Sequence, residues 1–368
     1  MDASRLEKLM AALRRAGLDA VALNPGPTLT YLTGLRFHLM ERPVVLLVAP
    51  GKDPVIVLPE LETAKVDQLP YKLTAVSYGE NPADWDAAFR RAVMTLQLDG
   101  KRIGVEPRHM RLLEFRHVRT GAPEADYPDA SETLALLRLH KDGAEIEQMR
   151  QAVRVAQHAL QSTLSTIRVG ATEREIAAEL NVQLLRGGSD SELPFAPIVS
   201  AGPNSANPHA SPSDRKLQRG DLLVVDWGAN VNGYASDLTR TFAIGEVEPE
   251  FKKIAQIVLA ANEAGRMAGK PGAACATIDH AARAVIKRSG YGEYFTHRTG
   301  HGLGMEDHEE PYMYAENQKL LEPGMAYTVE PGIYLPGRGG VRIEDNVVVT
   351  DDGVEVLSDM PRELRAAG

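Results

Sequence analysis

Two segments in the second half of this chain each carry a pair of acids a hairpin's length apart, with one histidine between them in a run of glycines. The first is Val225-Asp226-Trp227-Gly228 followed by Ser236-Asp237-Leu238-Thr239-Arg240, and the second is Val329-Glu330-Pro331-Gly332 followed by Val341-Arg342-Ile343-Glu344-Asp345-Asn346. Thr299-Gly300-His301-Gly302 stands between them. Asp226 closes the apolar run 222–225, the pattern of a buried strand, so its carboxylate needs a partner. Gathering four carboxylates around one imidazole is very costly unless cations neutralise them. An oxygen-rich set with one imidazole suits hard or borderline divalent ions such as manganese, cobalt or zinc. The chain must therefore fold so that distant hairpins converge, and the chemistry this points to is that of a two-metal hydrolase.

The local signals agree with that demand. Asn230-Val231-Asn232-Gly233 is a strong hairpin turn whose centre is also the midpoint between Asp226 and Asp237. The two acids are thus expected opposite one another on neighbouring strands, close enough to share an ion. Glu330 and Glu344 flank Leu335-Pro336-Gly337-Arg338-Gly339-Gly340 in the same way. Arg342 alternates with Glu344, which puts both on one face and makes Arg342 the partner expected to orient an acid ligand, as well as a candidate substrate-binding residue. Glycines around His301 let backbone pass close to the cluster. His209, His297 and His308 recur in similar Gly/Pro-rich settings.

Around these motifs the chain reads as two domains, 1–130 and 136–368. In the first, a helical repeat over 4–16 precedes short apolar runs at 20–23, 44–48 and 55–58, the last two joined by the turn Pro50-Gly51-Lys52-Asp53. Helical stretches near 82–97 and 108–118 flank another strand at 103–105, giving a small α/β domain. Residues 121–132, rich in Pro, Asp, Ala and Glu, read as the linker. Asp142 then starts a long helix with Glu145 in a capping-box position, and a second helix covers about 172–186. Val169-Gly170-Ala171, Ile176 and Gly188 are echoed at one offset by Pro271-Gly272-Ala273, Ile278 and Gly290. A duplicated helix-helix-hairpin unit would place two sheets, each with its acid pair, around a shared axis.

Composition narrows the classes further. The net charge of −9 and the absence of a basic run argue against a nucleic-acid partner. No apolar run approaches the roughly 18 residues of a membrane span, and the first residues mix charges with no apolar signal core. Cys275 is the only cysteine, so no intrachain disulfide forms and a reducing cytoplasm is expected.

Six motifs together resemble the aminopeptidase P and prolidase family. They are the segment from Ser200-Ala201-Gly202-Pro203-Asn204 to Asn207-Pro208-His209, Val225-Asp226-Trp227-Gly228, Ser236-Asp237-Leu238-Thr239-Arg240-Thr241-Phe242, His297-Arg298-Thr299-Gly300-His301-Gly302, Val329-Glu330-Pro331-Gly332-Ile333-Tyr334 and Val341-Arg342-Ile343-Glu344-Asp345-Asn346. The match covers about 136–368, while 1–130 resembles the family's creatinase-like amino-terminal domain less specifically. The resemblance implies an α+β protein, a duplicated "pita-bread" domain behind a smaller α/β one, a homodimer, and two divalent ions, manganese before cobalt or zinc. It implies Asp226 on one ion, Asp237 and Glu344 bridging the pair, and His301 and Glu330 on the other. His209 and His308 would contact the scissile carbonyl and His297 would line a proline pocket. The implied reaction is hydrolysis of the bond between an N-terminal residue and a following proline in small peptides, through a metal-bridging hydroxide. Glu330 would relay a proton to the leaving nitrogen.

Alternatives stay open at this point. A methionine aminopeptidase would share the metal set but lack a domain like 1–130, creatinase would lack these ligands, and a non-catalytic binding protein on this fold would have lost some of them. A dipeptidase also needs a cation for the free proline carboxylate. Several family dipeptidases look to have an arginine shortly after the equivalent of Glu309-Glu310-Pro311, where this chain has Tyr312. Arg36, His38 or Arg42 are the candidates in its place.

Overall fold

Helix α1 (Ala3–Ala16) turns Leu9 and Leu13 inward at helical spacing and stops at Gly17, whose φ of +62° is the left-handed conformation glycine adopts freely. This computed structural model describes residues 3–368, which divide into two units between Arg138 and Leu139. The first unit continues with β1 (Ala20–Leu23), α2 (Pro27–Thr33), β2 (Val45–Val48), β3 (Val55–Pro59), α3 (Thr63–Asp67), β4 (Thr74–Tyr78), α4 (Trp85–Leu96), β5 (Ile103–Val105) and α5 (Leu112–Gly121). Its strands form one sheet in the order β4-β3-β2-β1-β5, with β2 and β3 the expected antiparallel hairpin. Buried Phe89, Val93 and Leu96 of α4 share a core with Val45, Leu47, Val55 and Val57 of the sheet. Residues 121–132 are more than a linker: the Ile103 amide donates to Asp126 O (2.8 Å) and the Ala130 amide to Val105 O (2.8 Å), so the segment runs beside β5. Helix α6 (Ser131–Leu139) then carries the chain from the first unit into the second.

The second unit opens with α7 (Gly143–Thr163), capped reciprocally by Asp142 and Glu145 as its sequence predicts, and α8 (Glu173–Arg186). Strands β6 (Ile198–Ala201), β7 (Leu222–Trp227), β8 (Asn230–Val231), β9 (Tyr234–Ala235) and β10 (Leu238–Ile244) follow. Then come α9 (Pro249–Ala268), α10 (Cys275–Arg288), β11 (Gly300–Gly302), β12 (Glu309–Met313), β13 (Ala326–Val329), the hairpin β14 (Gly332–Leu335) and β15 (Gly339–Arg342), and β16 (Asp345–Val349), β17 (Val354–Val356) and β18 (Arg365–Ala367).

The sequence echo corresponds to a repeated backbone. Gly170 and Gly272 both adopt positive φ (+89° and +78°), as do Gly188 and Gly290 (+99° and +86°). The amides of Gly170 and Gly272 donate to Leu217 O (2.9 Å) and Leu321 O (2.8 Å), and those of Arg174 and Ala276 to Ser213 O (3.1 Å) and Asn317 O (2.8 Å). Each helix pair covers its own sheet, β18-β10-β7-β6 in the first repeat and β12-β11-β13-β16-β17 in the second. Two anchors aim the strand ends. Trp227 Nε1 donates to Ala156 O of α7 (2.7 Å), fixing the residue after Asp226. Asn262 Nδ2 of α9 donates to Val329 O (2.9 Å) and Ile343 O (3.4 Å), fixing the residues before Glu330 and Glu344. Among the described residues no helix is long and apolar enough to cross a membrane.

Candidate metal centre

The two repeats are stitched where their acids meet. Thr239 of β10 bridges Glu344, whose amide donates to Thr239 O (3.1 Å). The Asn346 side chain accepts from the Asp237 amide (3.1 Å) and donates to Asp237 O (2.5 Å), while Thr241 Oγ1 donates to Arg342 O (2.9 Å). On the other side the Glu330 amide donates to Thr299 O (2.8 Å), and the His301 amide to Thr328 Oγ1 (3.1 Å). Gly300 and Gly302 are required there, because a Cβ on either would collide with Thr328 O or Glu310 O.

These contacts bring together all five side chains that the sequence marks as ligands. Ligand atoms of Asp226, Asp237 and Glu344 lie within 4.8 Å of one another, as do those of His301, Glu330 and Glu344, and those of Asp237, His301 and His308. Asp237, His301 and Glu344 each belong to two of these groups, so the three nests are contiguous. The register differs from the expected one. Asp226 pairs with Thr239, not Asp237, which lies immediately before β10, two residues from Thr239 and on the same face. The acids still converge because that diagonal is within side-chain reach.

Whether the nest suits cations can be read from its polar atoms. Asp226 Oδ1, Asp237 Oδ1 and Glu344 Oε1 are buried and have no hydrogen-bond partner. Two of the remaining oxygens are oriented: Asp226 Oδ2 accepts from Arg342 Nη2 (2.5 Å) and Glu344 Oε2 from Thr239 Oγ1 (2.8 Å). Three orphaned carboxylate oxygens in one buried place are an expensive defect unless a cation meets them. His301 fits the same purpose. Its Nδ1 is 3.1 Å from Gly302 O, and a carbonyl only accepts, so Nδ1 carries the proton. That leaves the Nε2 lone pair facing Asp237 Oδ2 (3.5 Å) and Glu330 Oε1 (3.4 Å).

Electrostatics point the same way. Burial first, and then the neighbouring carboxylates, push the Asp237 and Glu344 carboxyls well above the ordinary range. Burial pushes Glu330 up to about 7, with Arg342 pulling against it and Asp226 adding to it. Burial, and then His308 beside it, hold His301 well below its usual value. Bare protein cannot keep these groups ionised together; divalent ions at the nest would.

The other marked residues take distinct places. Arg342 does orient an acid, Asp226, and its Nη1 also donates to Tyr334 OH (2.9 Å). His297 Nδ1 donates to Arg298 O (2.8 Å), and burial, then Arg342, pull its imidazole down to about 3. The ring is therefore neutral, and Tyr334 OH donates to its Nε2 (2.9 Å). With both nitrogens engaged, His297 offers the cleft a ring face. His308 stacks on His301 at 3.7 Å between centres, and Arg298 Nη2 lies 3.3 Å from its Nδ1. Arginine only donates, so neutral His308 keeps its proton on Nε2. His209 sits exposed on the rim. These groups line a cleft of about 520 Å³ with an apolar wall of Phe195, Ile198 and Pro208, a size that takes small ligands. In the first unit, Arg42 is engaged by Glu80 (2.8 Å) and Glu41 (2.5 Å).

Thr239, Asn346, Tyr334 and Arg298 had no role assigned from the sequence, although all four lie inside the motifs. Asp279 went unmarked as well, lying in a helix outside them. It accepts from the Thr299 amide (3.2 Å) and hydroxyl (2.8 Å) and from Arg283 Nη2 (2.8 Å). Arg283 in turn donates to Phe295 O (3.0 Å) and His297 O (2.8 Å), so this pair clamps the loop entering His301. Burial would raise the Asp279 carboxyl, but Arg283 and Thr299 outweigh it and hold it below the usual range. A depressed carboxyl stabilises the fold above its unfolded pKa, near 4, and that contribution is lost as pH falls through the lower folded value. Asp279→Asn is expected to lower the thermal midpoint at pH 7 by about 6 °C, a loss of roughly 2–3 kcal/mol. The gap to the unmodified protein should close in scans below about pH 3.5; a gap independent of pH would show that charge is not what Asp279 contributes.

Two family models match the chain: metallopeptidase family M24 over residues 147–351 and the creatinase/prolidase N-terminal domain over residues 5–140. The chain is 34% identical over 361 residues to the Xaa-Pro dipeptidase of Lactobacillus delbrueckii subsp. lactis, an alignment covering 98% of each. Among solved structures it is similar to a prolidase from Thermococcus sibiricus (34% identity, TM-score 0.93, 100% of this chain and 99% of that one). It is also similar to a dipeptidase from Pyrococcus horikoshii OT3 (36% identity, TM-score 0.92, 98% and 99%).

Proposed function

This chain belongs to metallopeptidase family M24, with the creatinase-type domain in front of a pita-bread domain, and from that premise we propose that it is an Xaa-Pro dipeptidase. The observation that carries the reading is the set of three buried, partnerless carboxylate oxygens beside the His301 Nε2 lone pair at the floor of a small cleft. The dipeptidase names of its relatives favour that subtype over an aminopeptidase. In this reading Asp226, Asp237, His301, Glu330 and Glu344 would hold the two ions. Manganese is the first choice for so oxygen-rich a set. Ions held there would supply acidified water and Lewis-acid polarisation of the scissile carbonyl.

The remaining work falls to side chains. An Xaa-Pro bond has no amide hydrogen, and its leaving nitrogen must gain a proton as it departs. Glu330, at the cleft floor 3.4 Å from His301 Nε2, takes the proton from water and delivers it to that nitrogen. His308, with its proton on Nε2, and His209 on the rim donate to the carbonyl oxygen as negative charge develops there. Arg342 keeps Asp226 aimed inward, and the ring face of His297 packs against the proline. A homodimer in a reducing cytoplasm belongs to the same proposal, the single buried Cys275 fitting that compartment.

The test is hydrolysis of an Xaa-Pro dipeptide beside an Xaa-Pro-Yaa tripeptide, with manganese added and with chelator present. Cleavage of the dipeptide alone, lost on chelation, is the expected result. Preferred cleavage of the tripeptide would shift the assignment to an aminopeptidase, and cleavage of neither would overturn it.

A further inference from the structure

A dipeptide differs from a longer peptide by the free carboxylate on its second residue, and recognising it takes a cation inside the cleft with no acid of its own. Besides its histidines, two arginines line this cleft, Arg298 and Arg342. Arg342 is spent: it is buried and bonded to Asp226, Tyr334 and Thr239. Arg298 is different. Among the described residues it forms no ion pair; its one side-chain hydrogen bond is to His308 Nδ1 (3.3 Å). Asp307, on the same lining, accepts from the His308 amide (2.9 Å) instead. Other basic groups of this neighbourhood are committed, Lys141 to Glu309 (2.6 Å), Lys319 to Glu310 (2.8 Å) and Arg283 to Asp279 (2.8 Å).

The guanidinium is also held in place. Its central carbon lies 4.3 Å from the centre of the Tyr312 ring, a stack that fixes the plane of the fork and leaves N–H donors at its edge. Two divalent ions would balance the four carboxylates of the nest charge for charge, and of the two arginines Arg342 is already in contact with a carboxylate, that of Asp226. The Arg298 charge is then the one left for an incoming anion. Its bond to His308, which the proposed function sets on the scissile carbonyl, keeps it close to the reacting bond.

We propose that Arg298, braced on Tyr312, binds the free carboxylate of the substrate's second residue and so sets the preference for dipeptides. The inference rests on the Xaa-Pro reading above. Its test compares the best-cleaved Xaa-Pro dipeptide with the C-terminal amide of the same dipeptide, using manganese-loaded enzyme and the variants Arg298→Gln and Arg298→Lys. Losing a charge-assisted bond of this kind is expected to raise KM for the acid about 10- to 100-fold in Arg298→Gln, while any fall in kcat from the altered contact with His308 should be equal for acid and amide. KM for the amide should stay unchanged, and Arg298→Lys should recover part of the loss. Calorimetry gives a readout without turnover: free proline should bind the variant more weakly by a similar factor, and prolinamide should not. Unmodified enzyme that cleaves no Xaa-Pro peptide overturns the functional reading and this proposal with it. Unmodified enzyme that does cleave them, with Arg298→Gln weakening acid and amide equally or neither, overturns this proposal alone. Should Arg298→Gln fail to fold, Arg298→Lys decides by the same acid-to-amide ratio.

Discussion

Glu330→Gln is expected to lower kcat by about 10³-fold or more while the protein keeps its fold. The amide keeps the size of the carboxylate and can still accept from Thr328 Oγ1, which now lies 3.3 Å from Glu330 Oε1. It cannot carry a proton from water to the proline nitrogen, and it is a poor ligand for a hard cation. Both deficits fall on the bond-breaking step, so kcat should collapse and KM should move little. Steady-state kinetics at saturating manganese, with metal content measured on the same sample, checks this. Turnover within tenfold of the unmodified enzyme would remove Glu330 from the reaction, whatever its metal content.

Removal of divalent ions should have the second largest effect. Chelation is expected to bring hydrolysis down to background and lower the thermal midpoint of the protein. Ligand linkage stabilises by about 4 kcal/mol for an ion present at a thousand times its dissociation constant, which is roughly 8–16 °C for a unit of this size. The size of that shift should depend on pH, with a definite sign. In the metal-free protein the Asp237, Glu344 and Glu330 carboxyls titrate above their unfolded values, Glu330 near 7. Carboxyls raised in this way favour the fold while protonated, and the benefit disappears as pH rises from about 4 through the folded values. Ions take up the charge that protons gave up. The midpoint gained on adding manganese should therefore widen from pH 5 to pH 7.5, as scanning calorimetry would record. A gain that is flat across this window would mean the ions bind somewhere other than this nest.

Much of the site was legible because residue type and spacing carry it. Asp226 ends an apolar strand, Asn232-Gly233 turns it, and Gly300 and Gly302 flank His301 for steric reasons that the backbone beside them now makes plain. The register was not legible. Asp226 faces Thr239 because the hairpin turns on Asn232-Gly233 and β8–β9 carries the same register as β7–β10, whereas the midpoint of the two acids lies one position earlier. Nor was the pairing of 126–130 with β5: Pro and Asp there look like a linker, yet their carbonyls accept from Ile103 and Val105 amides regardless of side chain. The roles of Asn346 and Arg298 depend on contacts with residues far along the chain or around a bend. A motif names such residues without saying what they touch.

The seam between the repeats is made of Thr239, Asn346, Thr241 and Glu344, the same residues or near neighbours of those that carry the nest's charge. Any drift toward another ion that shifts one acid therefore also loosens a joint. Metal preference and mechanical integrity are bound into one inheritance, and neither half of the duplication is free to change its chemistry alone.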